Sequence, residues 1–182
     1  MTLRSAHPLG AALIGAAVTL AMTASPAAMA QTPPSTAATA PVKDASVDDI
    51  VERLAPAAAT TRSLRNIVPQ ARQIDLMIPF DFDSARLQPA SRPQLERLAE
   101  ALRSPRLEAM RFKVEGHTDA KGTAKYNDEL SARRARTVLD FLVSQGVAAS
   151  RLEAEGKGFN EPLRKDDPTA PENRRVRIAT LP

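Results

Sequence analysis

Two side chains of opposite charge carry most of the chemical promise in this sequence. They are Arg134, on the apolar face of an expected helix, and Asp119, in the loop that precedes it. Over a helix expected from about Lys125 to Gln145, a rotation of 100° per residue gathers Leu130, Ala135, Val138, Phe141 and Leu142 on one arc. Arg133 and Arg136 point away from that arc. Arg134 falls into it, one turn after Leu130 and one turn before Val138, and Asn127 lies on nearly the same line about two turns earlier. A cation on a packing face needs an anion or an exit to water, because a buried charge left without its partner costs roughly 3–5 kcal/mol. A structural salt bridge would meet that need, and so would a side chain that snorkels past the sheet edge. A binding site is the third reading. Gly116-His117-Thr118-Asp119 ends an expected strand near the start of this helix, where the helix N-terminus favours anions. Asp119 offers a carboxylate and Thr118 a hydroxyl. Asp119 can take an ammonium while the planar fork of Arg134 takes a carboxylate, so the two together suit a zwitterion. The plainer alternative is that Asp119 pairs with Arg134 and nothing else binds.

The elements that would position these groups follow from hydrophobic spacing. Ile74, Leu76 and Ile78 alternate with Asp75 and Met77, which predicts a strand, and Phe80-Asp81-Phe82-Asp83-Ser84 then turns. Ser91 with Gln94 has the form of a capping box, with Pro93 in the first turn. Leu95, Leu98, Ala99 and Leu102 continue at helical spacing until Pro105. Met110, Phe112 and Val114 alternate with Arg111, Lys113 and Glu115 and predict a second strand. Gly116 to Gly122 is a loop, the long helix follows, and Gly146 suits its C-terminal cap. Leu152 to Lys157 and Arg175 to Leu181 are two further expected strands. The order strand–helix–strand–helix–strand–strand predicts an α+β fold of two layers, with helices on one face of a small mixed sheet. Residues 73–182 are long enough for one core.

The first half has a different composition. Arg4 and His7 precede an uncharged apolar run from Ala11 to Met22, and Ala28-Met29-Ala30 before Gln31 is a small-x-small cleavage pattern. Residues 1–30 are therefore expected to be a secretory signal peptide, with an uncleaved anchor as the rival reading. Residues 31–72 are expected to be a Pro- and Ala-rich linker, with a short amphipathic helix near 46–54 that Ser46 caps and Pro56 stops. The 182 residues hold no Cys, which rules out disulfides and thiolate metal sites. The net charge of +4 comes from interspersed residues of both signs, with no basic stripe for nucleic acid.

Five ordered blocks in the second half carry a family resemblance. They are Phe80-Asp81-Phe82-Asp83-Ser84, Gly116-His117-Thr118-Asp119, Tyr126-Asn127 with Leu130-Ser131 and Arg134-Ala135, Gly156-Lys157-Gly158, and Asn173-Arg174-Arg175-Val176. On these, residues 78–182 resemble the OmpA-like domain, the wall-binding module also seen in peptidoglycan-associated lipoproteins and flagellar stator proteins. The resemblance implies a βαβαββ-like fold and non-covalent binding of peptidoglycan through the meso-diaminopimelate of its stem peptide. Asp119 would then receive the ligand's amino group and Arg134 its carboxylate, while Asn127, Thr118 and Gly122 would add hydrogen bonds. Asp83 and Arg174 match further ligand-contacting positions on resemblance alone. No β-barrel pattern precedes the domain, and the missing Cys argues against the lipoprotein branch.

Other residues have blander readings. His117, without a second imidazole or a thiolate nearby in the sequence, is poor zinc chemistry and is expected to brace its loop by hydrogen bonds. Arg174 is expected to turn inward while Arg175 faces solvent. The function expected is a binding module in the periplasm, at the cell wall or outer membrane, with no enzyme activity and no cofactor. The alternatives are an envelope adaptor whose residues 46–70 dock a protein partner and a wall hydrolase, though the sequence shows no nucleophile–base pair for hydrolysis.

Overall fold

A computed structural model describes residues 40–56 and 71–181. The expected signal peptide and most of residues 57–72 lie outside the described residues. The chain forms helix α1 (Val47–Leu54), strand β1 (Gln73–Leu76), helix α2 (Arg92–Leu102), strand β2 (Arg111–Gly116), helix α3 (Ala124–Ser144), strand β3 (Leu152–Gly156) and strand β4 (Val176–Leu181). The four strands make one mixed sheet in the order β1-β4-β2-β3. β4 is antiparallel to both β1 and β2, whereas β2 and β3 run parallel. A parallel pair needs a crossover connection, and α3 supplies it. The fold is the α+β arrangement that the order of elements predicts.

Residues 40–56, expected as linker and short helix, belong to the core. Ser46 caps α1 by accepting from the Asp49 amide, in a reciprocal capping box. Ile50 and Leu54 are fully buried in the same cluster as Leu95, Leu98, Phe112 and Ile178. Ahead of α1, Val42 runs parallel to Leu76. Its amide donates to the Asp75 carbonyl at 2.9 Å, and its carbonyl accepts from the Met77 amide at 3.1 Å.

Two local expectations are corrected. Ser91 and Gln94 do not form a capping box: Ser91 is itself helical and makes no side-chain cap. A 3-10 turn, Pro89–Ser91, leads straight into α2. The Ser91 hydroxyl instead donates to the Pro79 carbonyl, and the Gln94 amide donates to the Val42 carbonyl at 3.0 Å. Both side chains are spent on fastening neighbouring segments. The alternation expected through Ile78 also fails, since β1 ends at Leu76 and Asp75 is buried beside its apolar neighbours. Asp75 accepts at 2.9 Å from the Nε of both Arg175 and Arg177.

α3 lies unusually close to β2 and β3, because Gly116 and Gly156 sit side by side in register beneath it. A Cβ on Gly116 would strike the Ser131 carbonyl, and one on Gly156 would stand 2.5 Å from the Ala132 nitrogen. Both obstacles are helix backbone, which cannot swing aside. Gly116→Ala should therefore lift α3 from the sheet and cost about 1–3 kcal/mol, read as a lower urea midpoint. A midpoint equal to the parent's would show that the helix has slack there.

Candidate functional site

α3 carries Arg134 to the rim of a pocket of about 260 Å³, lined by Met77, Pro79, Phe80, His117, Arg134 and Arg174 among others. The loop after β1 forms one wall. It closes through an isolated bridge between Phe80 and Leu87, a 2.9 Å bond from the Asp81 amide to the Arg86 carbonyl, and a 2.7 Å ion pair between Arg86 and Asp81. Arg134 pins this loop to the helix. Its Nε donates to the Ser84 carbonyl at 2.9 Å, and its guanidinium lies over the Phe80 ring, 5.0 Å from the centroid. Stacking and a single hydrogen bond orient the fork. Neither Nη atom has a hydrogen-bond partner among the described residues, and no carboxylate there lies within ion-pairing distance of Arg134.

The plainer alternative, Asp119 paired directly with Arg134, is not what forms. Asp119 Oδ2 meets Arg174 Nη1 at 2.7 Å, and its Oδ1 accepts from the Lys121 amide at 3.2 Å. Asp119 is buried, while the Arg174 side chain is 47% exposed. Burial lowers the pKa of Arg134, and the charge of Arg174 lowers it further; Asp119 and Asp83 pull the other way. The guanidinium keeps its proton regardless. The rim thus holds two cations, one neutralised by a carboxylate and one left to solvent.

The inward and outward roles of the adjacent arginines are reversed from expectation. Arg175 is the buried one, held by Asp75, and Arg174 reaches the pocket. Period two explains it: Arg175 and Arg177 share one face of the chain entering β4, and Asp75 lies across from Arg177 in the register.

The remaining expected residues gather around the same loops. Asn127 is buried, and its amide nitrogen donates to the carbonyls of Lys121 at 2.8 Å and Thr123 at 3.1 Å. It therefore shapes the loop that holds Asp119. Gly122 in that loop has φ +93°, a conformation glycine adopts without strain. Thr118 donates its amide to the Gly158 carbonyl at 2.8 Å, and its hydroxyl is buried with no partner. Asp83 is exposed at the turn of the Phe80–Leu87 loop, with φ 50°.

His117 does not brace its loop through its ring. Neither ring nitrogen makes a hydrogen bond, and Nε2 lies 3.8 Å from Glu115 Oε2, beyond hydrogen-bond reach. Burial lowers its pKa; Glu115 opposes this, and Arg175 and Arg177 reinforce it. The folded state thus prefers neutral His117. Its stabilising contribution is complete above the unfolded value of 6.5 and is lost as pH falls below it, because the unfolded chain takes up the proton more readily. Urea midpoints should drop as the pH falls below 6.5, and His117→Gln should flatten that part of the profile. An unchanged slope in the variant would assign the drop to other groups.

Comparison with known proteins places this architecture. The OmpA family model matches residues 79–177. Outer membrane protein A of Bordetella avium is 41% identical over 101 residues, which cover 54% of this chain and 51% of that protein. A peptidoglycan-associated lipoprotein of Pseudomonas aeruginosa is 37% identical over 101 residues, covering 54% of this chain and 58% of that protein. The crystal structure of the peptidoglycan-associated lipoprotein from Burkholderia pseudomallei superposes with a TM-score of 0.50 at 31% identity, over 57% of this chain and 88% of that one. The chain spans about half the length of the two curated relatives.

Proposed function

The chain belongs to the OmpA family, and from that premise we propose that it binds peptidoglycan non-covalently in the cell envelope, gripping the meso-diaminopimelate of the stem peptide. Relatives named for their association with peptidoglycan support the first part. The observation that carries the second is the orientation of Arg134: a guanidinium fixed by Phe80 and Ser84, with both Nη atoms facing no acceptor among the described residues.

A carboxylate of the free amino-acid end meets the Arg134 fork in a two-bond, charge-assisted contact. The adjoining ammonium takes Asp119, whose oxygen it shares with Arg174 or wins from it. Arg174 is then free to turn to the ligand carboxylate. Asp83 favours the charged form of Arg134 through its own charge and adds a second negative group for the ammonium. Asn127, Gly122 and Thr118 act mainly by holding the loop. The role is anchoring by binding without turnover, at the wall, in the periplasm or against the outer membrane.

The adaptor reading gains nothing from α1, whose apolar face is committed to the core. A partner site would have to rest on residues 57–70, outside the described residues.

Co-sedimentation with purified insoluble peptidoglycan tests the proposal. The chain should pellet with a diaminopimelate-type wall and be released by free meso-diaminopimelate. Equal pelleting with a lysine-type wall, without competition, would remove the diaminopimelate assignment. Failure to pellet with any wall would remove the wall reading altogether.

A further inference from the structure

Phe82 is the most exposed large apolar side chain among the described residues, at 99%. A single exposed apolar residue needs no explanation by itself. Phe82 acquires one from where it stands. It occupies the turn of the Phe80–Leu87 loop, two residues from Phe80, which lies beneath Arg134, and two from Ser84, which accepts from Arg134. Chain geometry keeps its Cα within about 7 Å of both. The loop is held at its base by the Phe80–Leu87 bridge and the Asp81–Arg86 pair, and at its far side by Arg134. Asp83 beside it adopts φ 50°, a conformation few residues other than glycine take. The fold therefore presents an aromatic ring to water on a fastened loop, two residues along the chain from Phe80, which lines the pocket. In a chain with five Phe, one Tyr and no Trp, that is a costly use of an aromatic.

We propose that Phe82 is a carbohydrate subsite: its ring packs on the apolar face of a sugar in the wall glycan while the pocket holds the stem peptide. This rests on the wall-binding reading above. The surroundings of the ring favour a sugar over a protein partner. Anchors of protein interfaces sit in pockets sealed by further apolar contacts, whereas Phe82 is flanked by Asp81 and Asp83, with exposed Arg86 beside them. A pyranose has a flat C–H face bordered by hydroxyls, so an isolated ring among charged hydrogen-bonding groups matches both parts. The short stem peptide also joins the gripped amino acid to the glycan, so one ligand can occupy both places.

The test compares two soluble probes by calorimetry on the full chain: the free stem tripeptide ending in meso-diaminopimelate, and the same tripeptide on its disaccharide. The parent should bind the disaccharide form roughly fivefold more tightly, the scale of one aromatic contact. Phe82→Ala should remove that difference and leave tripeptide affinity unchanged, while Phe82→Trp should retain it. Val143→Ala, which trims another exposed apolar side chain far along α3, should change neither affinity. Equal affinity of the parent for both probes would overturn the subsite, as would an equal loss for both in Phe82→Ala. If the parent binds neither probe, the wall reading itself fails and the subsite falls with it.

Discussion

Arg134→Ala should release the chain from the insoluble wall fraction while leaving it folded. Truncating one side of a charge-assisted contact in a partly desolvated pocket costs about 2–5 kcal/mol, or roughly thirtyfold to several thousandfold in affinity. Folding should tolerate the change. The Arg134 side chain makes one hydrogen bond among the described residues, to the Ser84 carbonyl, and its removal also relieves its repulsion of Arg174. Asp119→Ala should be equally defective in binding. It also frees Arg174, so Asp119→Asn is the better variant for separating charge from loop shape. Arg134→Lys should recover little, because a point charge replaces a planar fork that Phe80 orients. The measurement is the pelleted fraction at fixed wall concentration, with urea midpoints taken on the same samples. Parental pelleting by a folded Arg134→Ala protein would place the site elsewhere.

The largest loss of stability should come from Asp75, which bears on the pocket only through Arg175. Its carboxylate stands between Arg175 at 2.9 Å and Arg177 at 2.9 and 3.2 Å, and both Asp75 and Arg175 are buried. Asp75→Ala strands a guanidinium inside the protein, at a cost of about 3–5 kcal/mol. Some of that is recoverable, since Arg175 also donates to the Glu161 carbonyl at 3.1 Å and Arg177 lies 3.5 Å from Glu161 Oε2. Asp75→Ala with Arg175→Met should be less damaging than Asp75→Ala alone. If the double variant is the weaker of the two, burial of the ion pair is not what makes Asp75 necessary.

Much of this architecture is legible in the sequence where one residue's environment is set by its own element. The helical arc that isolates Arg134, the α1 cap at Ser46 and the four strands are of this kind. What escapes is set by partners distant in the chain. Asp75 reads as the solvent side of an alternating strand because Arg175 and Arg177, which bury it, come from the last strand. Ser91 and Gln94 have the spacing of a capping box, but Pro79 and Val42 claim their side chains. Residues 40–46 have linker composition, and the free edge of β1 together with Gln94 makes Val42 part of the fold. In the candidate site, the helix face singles out Arg134, but the choice of Arg174 as the partner of Asp119 depends on how the segment before β4 approaches the loop after β2. No local pattern encodes that approach.

The attachment of Val42 to β1 bears on how the molecule would respond to being pulled. Tension entering from residue 40 first meets the three Val42 hydrogen bonds, to Asp75, Met77 and Gln94, and then α1; these yield before the antiparallel ladder of β1 and β4 is peeled apart. The segment that yields first carries none of the groups around Arg134. A tugged molecule can therefore lengthen at its leading edge while the pocket around Arg134 keeps its shape, much as a slipping knot spares the rope beyond it.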